Sequence, residues 1–353
     1  MSFEDPDFKP SFGSDNHAGV HPKILQAIFD ANQTHTPSYG IDSLSTQLNL
    51  KFKSLFGETC ESFQVFNGTA ANVLCLKAHL KSWQSVLCTE VSHLNLDECG
   101  APEAIAGVKL IPTRSINGKI QIDQLQKQLV RNGDQHHTQA AAISITQPTE
   151  LGTVYSLEEL KAIREFANQH NLIVHVDGAR FTNSLIELDC EFKDIYETLK
   201  PDAISFGGTK NGLLGCEAVL IFNPDIAKTF KFERKQSMQL PSKTRFLAAQ
   251  FLAYFENDTY KEIAQHSCNK AKLLAEMLQE IPQIEVLYPV QSNAVFAKIP
   301  KKWTKSLKNE LFFYVWDENE WSVRLMMSFD TQDEEIKRFV NKAKELSKQE
   351  NDS

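Results

Sequence analysis

A lysine set among small residues, "SFGGTKNG" (205–212), is the first chemically suggestive stretch of this chain. Lys210 follows "PDAISFGG" (201–208), which reads as a short buried strand running out into a turn. An amine placed there is either a solvated loop lysine or a group that meets a flat ligand at a strand end. Other reactive groups fall at similar places. Asp177 follows the apolar run "LIVHV", where a carboxylate costs several kcal/mol unless it is paired. It can pair internally with Arg180 or face a cationic ligand atom. His93 follows "SVLCTEV", and Gly68-Thr69 follow "SFQVF" and open a helix. Free N–H groups and a hydroxyl at a helix start can bind phosphate, or can simply cap the helix.

These groups need elements to hold them. Over 62–223 the chain alternates strand-like and helical runs. "AAAISIT" is continuously apolar, as a strand buried on both faces should be. "SLEELKAIREFANQH" opens with a capping box, Ser156 and Glu159, and carries apolar residues at helical spacing. "NLIVHVDGAR", "DAISFGG" and "EAVLIFN" supply further strands. Such alternation predicts an α/β fold with a mainly parallel sheet flanked by helices. From about Arg234 the pattern changes to long helices, then strand-like runs ("NAVFAKI", "ELFFYVW", "WSVRLMMSF") and a last helix. The expected division is an N-terminal segment, 1–20, packing near the active site, a large α/β domain, 21–245, and a smaller α+β domain, 246–353. Ligands of open α/β sheets sit beyond the carboxyl ends of the strands, and all four groups fall there.

A phosphate anchor, a ring-stacking partner, a buried carboxylate and a lysine are together what pyridoxal 5'-phosphate requires. Lysine holds its aldehyde as a Schiff base, aspartate keeps the pyridine nitrogen protonated, and histidine can stack on the ring. A nicotinamide-binding protein would instead show Gly-x-Gly-x-x-Gly after the first strand, whereas the turn here is Asn67-Gly68-Thr69-Ala70-Ala71-Asn72. Net charge is −8 with no Lys/Arg stripe, which argues against nucleic acid or anionic membrane partners. No apolar run approaches the roughly 18–20 residues that span a bilayer. Seven cysteines without a Cys-x-x-Cys pair read as reduced thiols of a cytoplasmic protein. No cluster of metal ligands is expected.

Seven stretches in order carry a family resemblance: "SDNHAG" (14–19), "SYG" (38–40), "FNGTAAN" (66–72), "SH" with "DECGAPE" (92–93, 97–103), "VDGAR" (176–180), "FGGTKNG" (206–212) and "VRLMMSFDT" (323–331). From about residue 11 to about residue 340 the chain resembles the low-specificity L-threonine aldolases. These belong to the β-eliminating lyase group of pyridoxal-phosphate enzymes with the aspartate-aminotransferase-like fold (fold type I). The resemblance implies that Lys210 carries the cofactor, Asp177 faces its ring nitrogen, His93 stacks on it, and Gly68 and Thr69 bind its phosphate. Ser14, Arg180 and Arg324 would lie near the substrate carboxylate or the ring oxygen. Arg324 suits a carboxylate because a planar fork grips it bidentately; otherwise it is an ordinary arginine on an edge strand. Tyr39 would line the site from a neighbouring subunit of a homodimer or homotetramer. Here the chain departs from the family, with Gly40-Ile41-Asp42 where Gly-Asp-Asp is usual. The segment 234–245 matches a region used near the phosphate, with Arg234, Lys235, Gln239, Lys243 and Arg245 as candidates.

The implied activity is that of an aldehyde-lyase, the retro-aldol cleavage of L-threonine, L-allo-threonine or other β-hydroxy-α-amino acids to glycine and an aldehyde. His93 is the candidate for positioning or deprotonating the β-hydroxyl. The alternative is a β-eliminating lyase acting on another amino acid, which would release pyruvate and ammonia.

Overall fold

Strand hydrogen bonding sorts the chain into two unequal sheets and a two-stranded ribbon. In the structure, a computed structural model that describes residues 9–351, the strands are β1 (Glu61–Val65), β2 (Gln84–Thr89), β3 (Lys109–Thr113), the ribbon β4 (Ser115–Ile116) and β5 (Lys119–Ile120), β6 (Gln139–Thr146), β7 (Ile173–Gly178), β8 (Ala203–Gly207), β9 (Glu217–Ile221), β10 (Glu285–Val286), β11 (Ala294–Lys298), β12 (Tyr314–Asp317) and β13 (Ser322–Met326). The main sheet has seven strands in the order β1-β9-β8-β7-β6-β2-β3. Pairs from β8 to β3 are parallel, and β9 alone runs against both its neighbours.

Alternation along the strands explains the layers. On β9, Ala218 and Leu220 point into one core while Val219 and Ile221 point into another, as a period of two requires. One face is covered by the helix Gly68–His79. The other packs on helices that include Ser43–Phe56 and Arg245–Phe255, where Phe52, Phe206 and Phe255 meet with ring centroids 5.3–5.9 Å apart. The helix Leu157–His170 starts at the predicted capping box: Ser156 Oγ accepts from Glu159 N at 3.2 Å, and Glu159 Oε2 accepts from Ser156 N at 2.7 Å.

The second sheet, β10-β11-β13-β12, is antiparallel throughout. It packs with the helices Thr259–Gln279 and Asp333–Asn351 around a separate core that includes Val295, Leu325 and Phe339. Phe12 belongs to this core too; residues 1–8 of the expected N-terminal segment lie outside the described residues.

The boundary expected at 245/246 does not coincide with the division between the cores. Phe251 and Phe255 pack in the large core, as do Tyr260 and Ile263 of the following helix, whereas Ala271 to Leu278 of that helix pack in the small one. The cores therefore part within Thr259–Gln279, because that helix is long enough to serve both. Two elements are shorter than their patterns suggest. The helix expected over "IDQLQKQLVRN" ends at Gln128. Of "ELFFYVW" only Tyr314 onward joins the sheet; Phe312 makes an isolated parallel bridge to Ser11, and Leu311 and Phe313 are buried in the small core.

Candidate active site

The carboxyl ends of β1, β2, β6, β7 and β8 converge on a cavity of about 330 Å³. Gly68, Thr69, His93, Asp177, Arg180 and Lys210 all line it. Register sets the floor: Thr146, Asp177 and Ser205 are paired neighbours on β6, β7 and β8. The Asp177 carboxylate accepts from Asn72 Nδ2 at 2.8 Å and from Ala179 N at 3.0 Å. It does not pair with Arg180. That guanidinium instead binds Asp15, through Nε at 2.5 Å and Nη2 at 2.9 Å. Burial works to raise the Asp15 carboxyl, but the charge and hydrogen bonds of Arg180 overcome it and hold Asp15 below the usual carboxylate range.

His93 is backed by a second buried carboxylate. Its Nδ1 lies 2.8 Å from Glu98 Oε1, which also accepts from Asn72 Nδ2 at 3.0 Å. The Asn72 amide thus ties the carboxylate beside His93 to Asp177, and its own oxygen accepts from Ser205 Oγ. The hydrogen bond to Glu98 raises the His93 pKa, against the effect of burial. It also fixes Nδ1 as a donor, leaving Nε2 for other partners. His175, beneath Ser205, is pushed down to about 4 by burial and stays neutral.

The turn bearing Lys210 explains why two glycines precede it. A Cβ on Gly207 would stand 2.2 Å from the Ala179 carbonyl oxygen, and one on Gly208 would stand 2.3 Å from that of Cys216. The chain's approach to itself demands both glycines, and that approach brings Lys210 beside the end of β7. Among the described residues no acceptor hydrogen-bonds the Lys210 amine. Burial, reinforced by the charge of Arg180, lowers its pKa, which favours the neutral, nucleophilic amine. Glu217 also lines the cavity because β9 is antiparallel and begins at this edge; it accepts from Gly208 N at 2.7 Å, and burial raises its pKa.

Across the cavity the helix Gly68–His79 begins. Asn67 caps it, its Oδ1 accepting from Ala70 N at 2.9 Å. At Gly68 a Cβ would meet nothing within 4 Å, so the helix start opens on clear space edged by backbone N–H groups and Thr69. An unengaged amine, a buried carboxylate, an imidazole and this open helix terminus fit a phosphorylated pyridine aldehyde.

Other expected residues lie elsewhere in this single chain. Ser14 caps a short turn, its Oγ accepting from Asn16 N at 3.2 Å, while its neighbour Asp15 takes the site-facing role. Tyr39 is 52% exposed, lies outside the cavity and carries Lys235 Nζ 5.5 Å from its ring centre. Arg324 is on an interior strand rather than an edge. Its Nη2 donates to the Gly13 carbonyl at 3.3 Å, its guanidinium lies 5.1 Å from the Trp316 ring centre, and its buried Nε has no partner. Burial first, and then the charge of Arg180, lower its pKa.

In the segment 234–245, Arg234 is buried with Nη1 on the Gln64 carbonyl at 3.3 Å, and Arg245 binds the Gln33 and Thr34 carbonyls. Gln239 accepts from Phe66 N at 3.0 Å, one residue before the capping Asn67. None of the five candidates lines the cavity. Asp15, Asn72, Glu98, Glu150 and Glu217 are the site groups that the sequence reading missed. Glu150 stands just past "AAAISIT", at a strand's carboxyl end, the same signal that singled out Asp177. Among the described residues no group of three or more His, Cys, Asp or Glu is placed to hold a metal, and no helix is long and apolar enough to cross a membrane.

A mixed, mainly parallel sheet whose strand ends carry a lysine and a buried carboxylate defines a fold type I pyridoxal-phosphate enzyme. The structure of an aromatic aminotransferase from Pyrococcus horikoshii shares this fold, with a TM-score of 0.71 at 18% identity over 98% of this chain and 97% of that one. A threonine aldolase structure from Leishmania major superposes with a TM-score of 0.90 at 27% identity, covering 96% of this chain and all (100%) of that one. The sequence is 37% identical to the low specificity L-threonine aldolase of Pseudomonas aeruginosa over 335 residues, 95% of this chain and 97% of the relative. Residues 11–301 match the model of the β-eliminating lyase family. The chain belongs to that family, and pyridoxal 5'-phosphate is its cofactor.

Proposed function

We propose that this chain is an aldehyde-lyase that cleaves L-threonine, together with L-allo-threonine and other β-hydroxy-α-amino acids, to glycine and an aldehyde. The observation that carries the reading is the pairing, in one cavity, of the unengaged Lys210 amine with an Asp177 carboxylate held by Asn72, in a chain 37% identical to a low specificity L-threonine aldolase. When bound, the cofactor supplies an electron sink for the bonding pair released at the substrate's Cα.

The remaining work belongs to the chain's own side chains. Lys210 provides the amine for the cofactor's aldehyde. Asp177, fixed by Asn72 and the Ala179 N–H, keeps a proton on the ring nitrogen. His93, oriented by Glu98, would stack on the ring. Gly68 and Thr69 take the phosphate at the helix start, where free N–H groups favour an anion. Arg324 receives the substrate carboxylate with support from Ser14, while Arg180, braced by Asp15, adds positive charge nearby. A fixed carboxylate sets rotation about the N–Cα bond and so selects which bond at Cα breaks.

The test is to incubate purified holoenzyme with L-threonine and assay acetaldehyde and glycine. Both products in equal amounts support the reading. Pyruvate and ammonia from another amino acid, with no aldehyde from threonine, would replace it with β-elimination.

We further read the protein as a cytoplasmic homodimer or homotetramer whose sites lie at subunit interfaces. Its seven cysteines are unpaired. Tyr39, Ile41, Phe66 and Met238 are exposed apolar side chains on the segments linked by Tyr39 N to the Ser242 carbonyl and Phe66 N to Gln239. Sedimentation of a monomer at micromolar concentration would remove the interface role from Tyr39.

A further inference from the structure

We propose that Glu150, and not His93, is the base that takes the proton from the substrate's β-hydroxyl, with Thr146 and the His93 backbone holding it in place. This rests on the aldolase reading above and assigns to a residue of the same site the role for which His93 is the sequence candidate.

Geometry separates the two candidates. Glu150 lines the cavity with Lys210, His93 and Asp177. Both of its hydrogen bonds from other residues fall on one oxygen: Oε1 accepts from Thr146 Oγ1 at 2.6 Å and from His93 N at 2.9 Å, and its own backbone N–H adds a local bond to the carboxylate. Oε2 takes no hydrogen bond from the other described residues and is not sealed off from the cavity. A carboxylate pinned by one oxygen and open at the other has the form of a positioned proton acceptor. His93 is built differently. Glu98, whose side chain is fully buried, occupies Nδ1 and stabilises the imidazolium. In its charged form, which the hydrogen bond to Glu98 favours, the ring has two N–H donors and no lone pair to receive a proton.

The charged surroundings agree. Burial pushes Glu150 up to about 7, and Asp177 adds to the rise, while the bonds from Thr146 and the His93 N–H oppose it. Arg180 faces it as the nearby cation, and Cys88 and Tyr155 also feel its charge. A base poised near the working pH accepts and returns a proton most efficiently.

In the step itself the hydroxyl proton moves to Glu150 Oε2. The O–H bonding pair becomes the second bond of the aldehyde carbonyl, and Cα–Cβ breaks with its electron pair left on the Cα side. Uptake of one proton at Cα completes glycine, so one hydrogen moves in net from oxygen to carbon.

The test compares holoenzyme with Glu150→Gln and Glu150→Asp in two reactions, threonine cleavage and the exchange of a glycine α-hydrogen in deuterated water. Exchange needs the cofactor, Lys210 and Asp177 but has no hydroxyl to deprotonate. The ratio of cleavage to exchange should fall by about 100-fold or more in Glu150→Gln and recover in part in Glu150→Asp. Infrared titration of the wild-type holoenzyme should show a carboxyl band titrating near the value of about 7 given above, absent from Glu150→Gln. An unchanged ratio, a parallel loss of both reactions, or no such band would overturn the assignment. Wild-type enzyme that exchanges glycine but cleaves no β-hydroxy amino acid would overturn the aldolase reading itself, and the base with it.

Discussion

Arg180 grips Asp15 through two hydrogen bonds, joining groups 165 residues apart in the chain. The Asp15 side chain is fully buried, and Asn293 Nδ2, just before β11 of the small sheet, donates to the same carboxylate at 3.1 Å. One carboxylate therefore fastens the N-terminal segment to the end of β7 and to the second core. It also commits the Arg180 fork, whereas the buried Arg324 Nε has no hydrogen-bond partner among the described residues, which supports the proposal that Arg324 receives the substrate carboxylate.

Asp15→Ala should destabilise the protein by about 3 kcal/mol, because it strands a largely buried guanidinium without its partner. The pH dependence has a definite sign. The Asp15 pKa is lowered in the folded state, so the pair's contribution is present above the ordinary carboxylate pKa and is lost as pH falls through the folded value. Urea unfolding at pH 7 should show the full difference, and wild type and variant should converge in strong acid. A constant gap at every pH would mean that packing, not the ion pair, holds the segment.

Glu98→Gln should lower the His93 pKa, since the hydrogen bond to Glu98 is the main cause of its rise. Titration of nitrogen-labelled histidine by NMR reads this directly. A raised folded pKa contributes stability below the unfolded value, lost as pH rises through the folded one. The variant should therefore lose more stability near pH 5 than near pH 9. If the His93 resonance does not move, Glu98 serves Asn72 rather than the imidazole.

Arg324→Lys should raise the KM for the amino acid about tenfold or more, the worth of a charged hydrogen bond of about 1.5–3 kcal/mol. A point charge does not replace a planar fork, so lysine should restore little of what alanine loses. Cofactor affinity should stay within about threefold of wild type, less than the worth of one charged hydrogen bond, because Arg324 is proposed to hold the substrate carboxylate and not the cofactor. Equal losses in cofactor and substrate affinity would place the arginine in the fold rather than in recognition.

How far the sequence discloses the site depends on where each residue gets its position. Lys210, Asp177, His93 and Gly68 sit at the carboxyl ends of strands, where a local pattern and one rule of α/β sheets locate them. Glu150 obeys the same rule, but it stands four residues beyond the apolar run "AAAISIT" and is brought to the site by the turn that follows. Glu217 follows a different logic: it enters the site because β9 is reversed, and strand direction is not written in an apolar run of five residues. Asp15 and Glu98 lie within the quoted stretches "SDNHAG" and "DECGAPE", but their partners are fixed by tertiary approach. The resemblance implies Ser14, but the buried group there is the carboxylate of its neighbour Asp15. Tyr39 sits on the chain's exterior, so no rule confined to one chain could bring it to Lys210.

Gly68 and Gly207 make opposite predictions from one geometric test. A methyl group on Gly207 would collide with the Ala179 backbone at 2.2 Å, and that backbone belongs to the turn after Asp177. Gly207→Ala must therefore push β7 and β8 apart where they present the carboxylate and the lysine. A loss of about 1–3 kcal/mol or more should accompany weaker cofactor binding. A methyl on Gly68 would meet only open space, and alanine is the better residue in a helix by about 0.5–1 kcal/mol. Gly68→Ala should leave thermal stability unchanged or slightly higher while lowering cofactor affinity, because the methyl fills the cradle at the helix start. Paired melting curves and cofactor titrations distinguish the two. If Gly68→Ala binds the cofactor as wild type does, the phosphate does not sit against Gly68, and the ring must enter the cavity in a different orientation.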